Sequence, residues 1–153
     1  MQFFIWRCKN FLGSIVGFLL ALGILGCVYV GGISRFSALT GKRTFYLDSP
    51  TSQGLQTEQL TLSDVWRIKG ESVYFSLPEG IENMAADGLA KKIAAKYHAE
   101  IVYVEAIGGV TSYYCHTLDW ADGIILYGRK INLHIAVSEG RCAVGSPIVF
   151  GGF

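Results

Sequence analysis

The longest apolar stretch of the chain lies close to its N-terminus. Residues 11–33 run for 23 positions without a charged side chain. As an α-helix rising about 1.5 Å per residue, this stretch spans roughly 35 Å, and the hydrocarbon core of a bilayer is about 30 Å thick. Arg7 and Lys9 lie just before it, as in the basic start of an export signal. The pattern predicts a tail over residues 1–10 and a transmembrane helix over residues 11–33.

Two details of this stretch bear on its processing and its partners. Residues 24–27, Ile-Leu-Gly-Cys, resemble the bacterial lipobox, but residues 28–33 stay apolar where a lipoprotein usually turns polar. We therefore predict an uncleaved anchor in the cell membrane with the following domain outside, and lipidation at Cys27 or a cleaved signal are the alternatives. Gly13 and Gly17 have the small-xxx-small spacing that lets membrane helices approach closely, which predicts a homodimer.

The remaining chain divides into a polar segment and a patterned domain. Residues 34–63 are rich in Ser, Thr, Gln and Gly, include Pro50 and show no steady apolar period, which predicts a stalk in which residues 44–47 can form a short extended piece. The domain covers residues 64–153. Within it, residues 72–77 alternate between apolar and polar positions, as half-buried strands do. Apolar residues then recur at helical spacing over residues 81–97.

The rest of the domain has the pattern of strands. Extended segments are predicted at residues 101–106 and 110–115, an irregular excursion at residues 117–128, and a hairpin from residues 130–137 and 141–150. The order is strand, helix, then four strands. It predicts a single α+β domain, in which an antiparallel sheet has one helix packed on one face, preceded by the N-terminal transmembrane helix.

The charge of the domain bears on its ligands. Residues 44–153 hold eight Lys and Arg side chains against twelve Asp and Glu, a formal charge of −4. Such a domain is a poor counterion for phosphate backbones. We therefore expect no nucleic-acid partner.

The sequence contains few residues that could carry chemistry. It has no nucleophile-elbow, Walker-loop, zinc-protease or C-x-x-C pattern, so we expect no catalytic residues, no metal and no cofactor. The alternative is a small envelope enzyme or metal-binding protein that uses His116, His134 and Asp119. Cys115 and Cys142 are the cysteines outside the N-terminal region, and either a disulfide or two buried free thiols would fit their positions.

Four residues of the domain are candidates for a binding surface. Trp120 is a large aromatic residue in an otherwise polar excursion, and such loop residues often carry binding. Asn132 and His134 alternate with apolar neighbours, so we place them on the sheet face that the helix leaves open. Tyr113 and Tyr114 are adjacent on one strand, so only one can lie fully in the core, and we take Tyr113 as the candidate.

Residues 128–137 and 144–148 resemble the C-terminal part of the YwmB family. These are uncharacterised extracytoplasmic proteins of Gram-positive bacteria with a TATA-box-binding-like fold label. The resemblance implies an extracytoplasmic domain of that fold and supplies no catalytic residues, and a fold label does not imply DNA binding. We therefore predict a membrane-anchored, extracytoplasmic, non-catalytic domain that binds an envelope protein or a cell-wall component.

Overall fold

The computed structural model describes residues 14–26, 34–50, 53–77 and 86–150. The chain divides into two compact units, residues 1–37 and residues 38–153. In the first unit, residues 14–26 form a helix, α1. In the second unit, the described residues include nine strands and a second helix, α2 (Ala86–Lys96).

The prediction for the N-terminal region is not supported by α1. A helix over residues 14–26 rises roughly 20 Å, less than the hydrocarbon core of about 30 Å. Among the described residues, no helix is both long and apolar enough to cross a membrane. This finding contradicts the predicted single-pass anchor over residues 11–33 and the location at the cell membrane that follows from it. Gly13 and Cys27 lie outside the described residues, so the predicted dimer and lipidation stay untested predictions.

The second unit is built mainly from strands. They are β1 (Lys42–Leu47), β2 (Leu55–Thr57), β3 (Ile68–Ser76), β4 (Ala99–Ile107), β5 (Val110–Thr117), β6 (Ile124–Leu126), β7 (Arg129–Ile131), β8 (Leu133–Ser138) and β9 (Arg141–Ser146). Seven of them form an antiparallel sheet in the order β2-β1-β3-β9-β8-β5-β4, and β6 and β7 form a separate hairpin. Strands hold 44% of the described residues, and helices, together with a 3₁₀ turn at Val65–Arg67, hold 22%. The predicted class, α+β with a transmembrane helix, is therefore wrong, and the fold is mostly antiparallel sheet.

Two of these strands lie within residues 34–63, the predicted stalk. β1 pairs with β3 along its whole length, and β2 pairs with the outer side of β1. Phe45, Tyr46 and Leu47 are all buried, so both faces of β1 are covered at this point. These residues therefore belong to the sheet, and β1 includes residues 44–47, where a short extended piece was predicted. Pairing with β3 makes β1 a strand, although the local sequence pattern shows only part of it.

α2 covers one face of the sheet, which we call the helix face. Its buried residues are Ala90, Ile93 and Ala94, and it packs on β4, β5 and β8. The apolar strand residues of this face include Val73, Cys115, Leu133, Ile135, Cys142 and Val144, all essentially inaccessible to solvent. Each buried Leu, Ile or Val of this layer contributes about 1.5–3 kcal/mol, so this layer is the core. The opposite side of the sheet is the helix-free face.

Candidate functional site

The C-terminal segment, residues 147–150, covers the middle of the helix-free face. Gly145 permits this, because a Cβ there would lie only 2.9 Å from the Val149 side chain. The Phe150 carbonyl accepts hydrogen bonds from the hydroxyls of Tyr46 on β1 (2.8 Å) and Tyr74 on β3 (3.0 Å). The face that the sequence predicts to be open is therefore partly covered by the chain itself.

His134 lies beneath this segment. The Val149 N–H donates a 3.2 Å hydrogen bond to its Nδ1, and its ring stacks on Tyr114 with the centroids 4.5 Å apart. Only 6% of the residue is exposed, and Nε2 is buried without a hydrogen-bond partner among the described residues. Burial lowers the pKa of His134 to about 4, so the ring is neutral at pH 7 with its proton on Nε2. His134 holds the C-terminal segment in place and is not an exposed binding residue.

Asn132 and Trp120 hold the loop between β5 and β6. Asn132 is fully buried, and its Oδ1 accepts a 2.8 Å hydrogen bond from the Thr117 N–H. Its Nδ2 donates to the carbonyls of Thr117 (2.8 Å) and Trp120 (2.9 Å). The Trp120 ring packs at a tilt against Tyr97, with the centroids 5.7 Å apart. Both predicted binding residues therefore contribute to the structure of the loop.

Tyr113 and Tyr114 point to opposite faces, as adjacent residues of a strand must. Tyr113 is buried on the helix face, where its hydroxyl donates a 2.7 Å hydrogen bond to Asp87 of α2. Burial is the main cause that raises the pKa of Tyr113, and the nearby Asp87 carboxylate raises it further. Tyr114 is half-buried on the helix-free face. The residue of this pair that faces outward is Tyr114, and not Tyr113 as predicted.

Cys115 and Cys142 are buried free thiols. Their strands, β5 and β9, are separated by β8. Cys115 pairs with Leu133 of β8 and Cys142 with Val137, so the two cysteines are also offset by four residues along the sheet. At about 4.8 Å per strand and 3.4 Å per residue, their Cα atoms lie roughly 16 Å apart, beyond the limit of about 7 Å for a disulfide. The disulfide interpretation is therefore wrong, and the structure has the alternative of two free thiols. Burial raises the pKa of each thiol to about 12.

We expect both thiols to resist alkylation in the folded protein, because the thiolate is the reactive species and both groups are buried and protonated at pH 8. With iodoacetamide, the peptides that contain Cys115 and Cys142 should be modified at least roughly a hundredfold more slowly in folded than in urea-unfolded protein. Mass spectrometry of the two peptides measures this ratio. Recovery of the two peptides as a disulfide-linked pair would contradict the structure.

His116, His134 and Asp119, the residues of the alternative enzyme or metal site, each contact different neighbours. Asp119 pairs with His98, with Nδ1 and Oδ2 2.9 Å apart on the surface. His116 lies on the helix-free face opposite Glu100 of β4, and His134 is buried under the C-terminal segment. Within residues 14–26, 34–50, 53–77 and 86–150, no group of three His, Cys, Asp or Glu side chains could hold a metal ion. The described residues therefore offer the enzyme or metal-site alternative no assembled site.

A group of residues beside β4, which sequence reasoning missed, has the features of a binding surface. We call it the tyrosine strip: Tyr103, Glu105, Tyr114 and Tyr127. Tyr103 lies edge-on to Tyr127 with the centroids 5.7 Å apart, and its hydroxyl donates to the Tyr127 carbonyl at 3.2 Å. The Tyr114 hydroxyl donates to Glu105 Oε2 at 3.3 Å. Tyr103 and Tyr114 are opposite each other in the β4–β5 register, so the four residues form one surface.

Tyr127 occupies an unusual backbone position in the turn of the β6–β7 hairpin. Leu126 pairs with Arg129, so Tyr127 and Gly128 form a two-residue turn, with φ values of 49° and 78°. Positive φ at both positions is typical of a type I′ turn, where Asn-Gly is the preferred pair. A tyrosine at the first position costs about 1 kcal/mol or more in backbone strain. Its side chain is nevertheless 82% exposed.

The strip borders a free strand edge. β4 is nine residues long, and β5 pairs with one of its sides. No strand of the described residues pairs with the other side. Val104 and Ile107 on this strand are 56% and 68% exposed, and its charged residues are Glu100 and Glu105. Beyond a register irregularity in the first half of β4, the edge therefore presents backbone donors and acceptors between apolar side chains and the tyrosine strip.

Comparison of the chain with family models, with curated proteins and with solved structures gives no match. The resemblance of residues 128–137 and 144–148 to the YwmB family therefore stays a prediction. Support for a function comes from the geometry of the described residues, above all from the free edge of β4 and the tyrosine strip beside it.

Proposed function

We propose that this chain is a non-catalytic protein-binding domain. Its partner contributes an extended segment that carries basic side chains and adds to the free edge of β4. The observation that supports this proposal best is that no described strand pairs with the outer side of β4, which has the tyrosine strip along one face. The proposal keeps the non-catalytic binding role predicted from the sequence and narrows the ligand to a polypeptide.

The edge of β4 suits an added strand. In β-augmentation, main-chain hydrogen bonds supply affinity and alternate side chains supply specificity. The side chains of an added strand would lie alternately on the two faces of the sheet. On the helix-free face they would meet the tyrosine strip, where Tyr127 is largely exposed. On the helix face they would meet the exposed side chain of Val104.

Charge indicates what kind of strand binds. The two charged side chains of β4, Glu100 and Glu105, are both acidic. A second copy of β4 in antiparallel pairing would bring these carboxylates towards one another, and like charges across a strand pair are destabilising. A segment with Lys or Arg would instead form ion pairs with them. Glu105 is already positioned by the Tyr114 hydroxyl.

The strained position of Tyr127 favours a role in binding over a role in folding. Asparagine would suit this turn position better, so the tyrosine lowers the stability of the hairpin. Aromatic residues are frequent among those that dominate binding energy at protein interfaces. Tyr127 has a strained backbone, an exposed side chain and a ring contact with Tyr103. We expect these three features of a residue that serves binding at a cost in stability.

Selection from a displayed library of random peptides as long as β4 tests the proposal. We expect enriched peptides to alternate apolar residues with Lys or Arg. Tyr127→Asn should weaken their binding about tenfold and leave the melting temperature unchanged or higher, because asparagine relieves the turn. Val104→Lys should also weaken binding, because it places a cation beside the added strand.

The control is Lys91→Gln on the exposed side of α2, which should bind the peptides like the wild-type chain. If no peptides are enriched, or if the enriched peptides bind the Tyr127→Asn and Val104→Lys variants as tightly as the wild-type chain, the proposal is wrong.

A further inference from the structure

A cleft of about 900 Å³ opens on the helix-free face over β1, β2 and β3, at the opposite end of the sheet from the tyrosine strip. Clefts of about 300–1,000 Å³ commonly hold small organic molecules. In the strand register Lys42 is opposite Tyr74, and Gln56 is opposite Tyr46. Thr44 lies two residues after Lys42, so these side chains all project from one face of the sheet. The cleft therefore has a floor made by three paired strands.

One wall of the cleft is aromatic and is held in place before any ligand binds. Tyr74 and Phe150 both line it. The Phe150 carbonyl accepts hydrogen bonds from the hydroxyls of Tyr46 (2.8 Å) and Tyr74 (3.0 Å). The Tyr46 ring also lies edge-on to the Phe150 ring, with the centroids 5.6 Å apart. A wall that is ordered before binding lowers the entropy lost when a ligand is held against it.

The floor of the cleft offers uncharged polar groups. Thr44 is half-buried and Gln56 is exposed, and neither side chain has a hydrogen-bond partner among the described residues. The Thr44 hydroxyl and the Gln56 carboxamide can each donate and accept hydrogen bonds. Such a set of groups suits a ligand whose own polar groups also both donate and accept, as alcohol hydroxyls do.

The charged side chains Lys42 and Glu58 of the cleft neutralise each other. Lys42 Nζ lies 2.8 Å from Glu58 Oε1, and both side chains are largely exposed. The pair has no net charge, so it does not favour a charged ligand over a neutral one. The ammonium group still has further donors and the carboxylate further acceptor sites. Hydroxyl groups of a ligand can therefore bind both partners without breaking the pair.

We propose that this cleft binds a short neutral oligosaccharide. The C–H face of a pyranose ring carries partial positive charge and lies against the electron-rich face of the Tyr74 or Phe150 ring. The sugar hydroxyls bind Thr44, Gln56 and the Lys42–Glu58 pair. An aromatic wall beside uncharged polar groups suits a sugar better than a purely apolar molecule or an ion. This site is separate from the edge of β4 and does not rest on the peptide proposal.

An array of defined oligosaccharides with neutral, sialylated and sulfated members tests the proposal on the folded full chain. We expect neutral members to be retained in preference to the acidic ones. Titration calorimetry then measures the affinity for the retained oligosaccharide in solution. This affinity should change by less than about twofold between low and high salt, because screening acts on charged ligands. Retention of no neutral member, or a preference for the acidic members, would overturn the proposal.

Two matched threonine variants locate the site. Thr44→Val removes the hydroxyl from the floor and should weaken binding about fivefold, since a hydrogen bond contributes about 1 kcal/mol net. Thr111→Val makes the same exchange on β5, outside the cleft, and should bind like the wild-type chain within about twofold. Both variants should fold, because valine suits a strand. Equal binding by the two variants would overturn the proposal.

A third variant tests the aromatic wall. Phe150→Leu keeps the backbone carbonyl that accepts the tyrosine hydrogen bonds but removes the ring, and it should weaken binding about fivefold. Binding unchanged by this substitution would contradict the proposed stacking and so the site. Tyr127→Asn, at the other end of the sheet, should leave oligosaccharide binding unchanged. The oligosaccharide and peptide proposals can therefore fail separately.

Discussion

Replacement of Asn132 by alanine is expected to lower the free energy of unfolding by about 3 kcal/mol. The buried Asn132 side chain makes three hydrogen bonds, one from the Thr117 N–H and two to the carbonyls of Thr117 and Trp120. Each such bond contributes about 1 kcal/mol net, so the loss of all three accounts for about 3 kcal/mol. Urea unfolding followed by circular dichroism measures the change.

An isosteric variant separates the hydrogen bonds from the packing. Asn132→Asp keeps the shape of the side chain and the acceptor for the Thr117 N–H, but it replaces the donor with an oxygen that faces two carbonyls. We therefore expect a loss similar to that of alanine at pH 7. Lys91→Ala on the exposed side of α2 should change stability by less than about 0.5 kcal/mol. If both Asn132 variants behave like this control, the network does not stabilise the fold.

Asn132 and His134 also show where local pattern stops predicting exposure. Every residue from 131 to 137 is buried, although polar and apolar residues alternate in this segment. Alternation predicts one open face, but the C-terminal segment covers that face and donates the Val149 N–H to His134. The covering residues lie beyond the next strand, β9, and depend on Gly145 for space. A pattern confined to one strand contains no information about such a contact.

Elements with a strong pattern of their own were predicted more successfully. The apolar stripe of the helix includes Ala90, Ile93 and Ala94, which are its buried residues. The strands β8 and β9 lie within the predicted hairpin. β2 was missed, and β1 was considered only as a short extended piece over residues 44–47, because both strands take their order from pairing with other strands. The tyrosine strip was missed because only the β6–β7 hairpin brings Tyr127 to Tyr103.

Acidification is expected to destabilise the fold through His134. Burial lowers the pKa of His134 from 6.5 to about 4, so between these values the unfolded chain binds a proton that the folded chain does not. This contribution to stability is therefore fully present above about pH 6.5 and is lost as the pH falls towards 4. Its full size is on the order of 3 kcal/mol, because each unit of pKa corresponds to about 1.4 kcal/mol. Protonation would also remove the acceptor for the Val149 N–H and so release the C-terminal segment.

The contribution of His134 to the pH dependence of stability can be separated from that of the Asp and Glu side chains by comparison with a variant. Asparagine at position 134 places an amide oxygen near the position of Nδ1, so His134→Asn keeps an acceptor for the Val149 N–H without a group that titrates in this range. The stability of the wild-type chain relative to this variant should therefore fall as the pH is lowered from 6.5 to 4. His116→Asn, on the same face of the sheet, makes the matched exchange outside the contact with the C-terminal segment. If the free energy of unfolding depends on pH in the same way for the wild-type chain and for His134→Asn, the imidazole is not held neutral by burial. The C-terminal segment would then not cover it in solution.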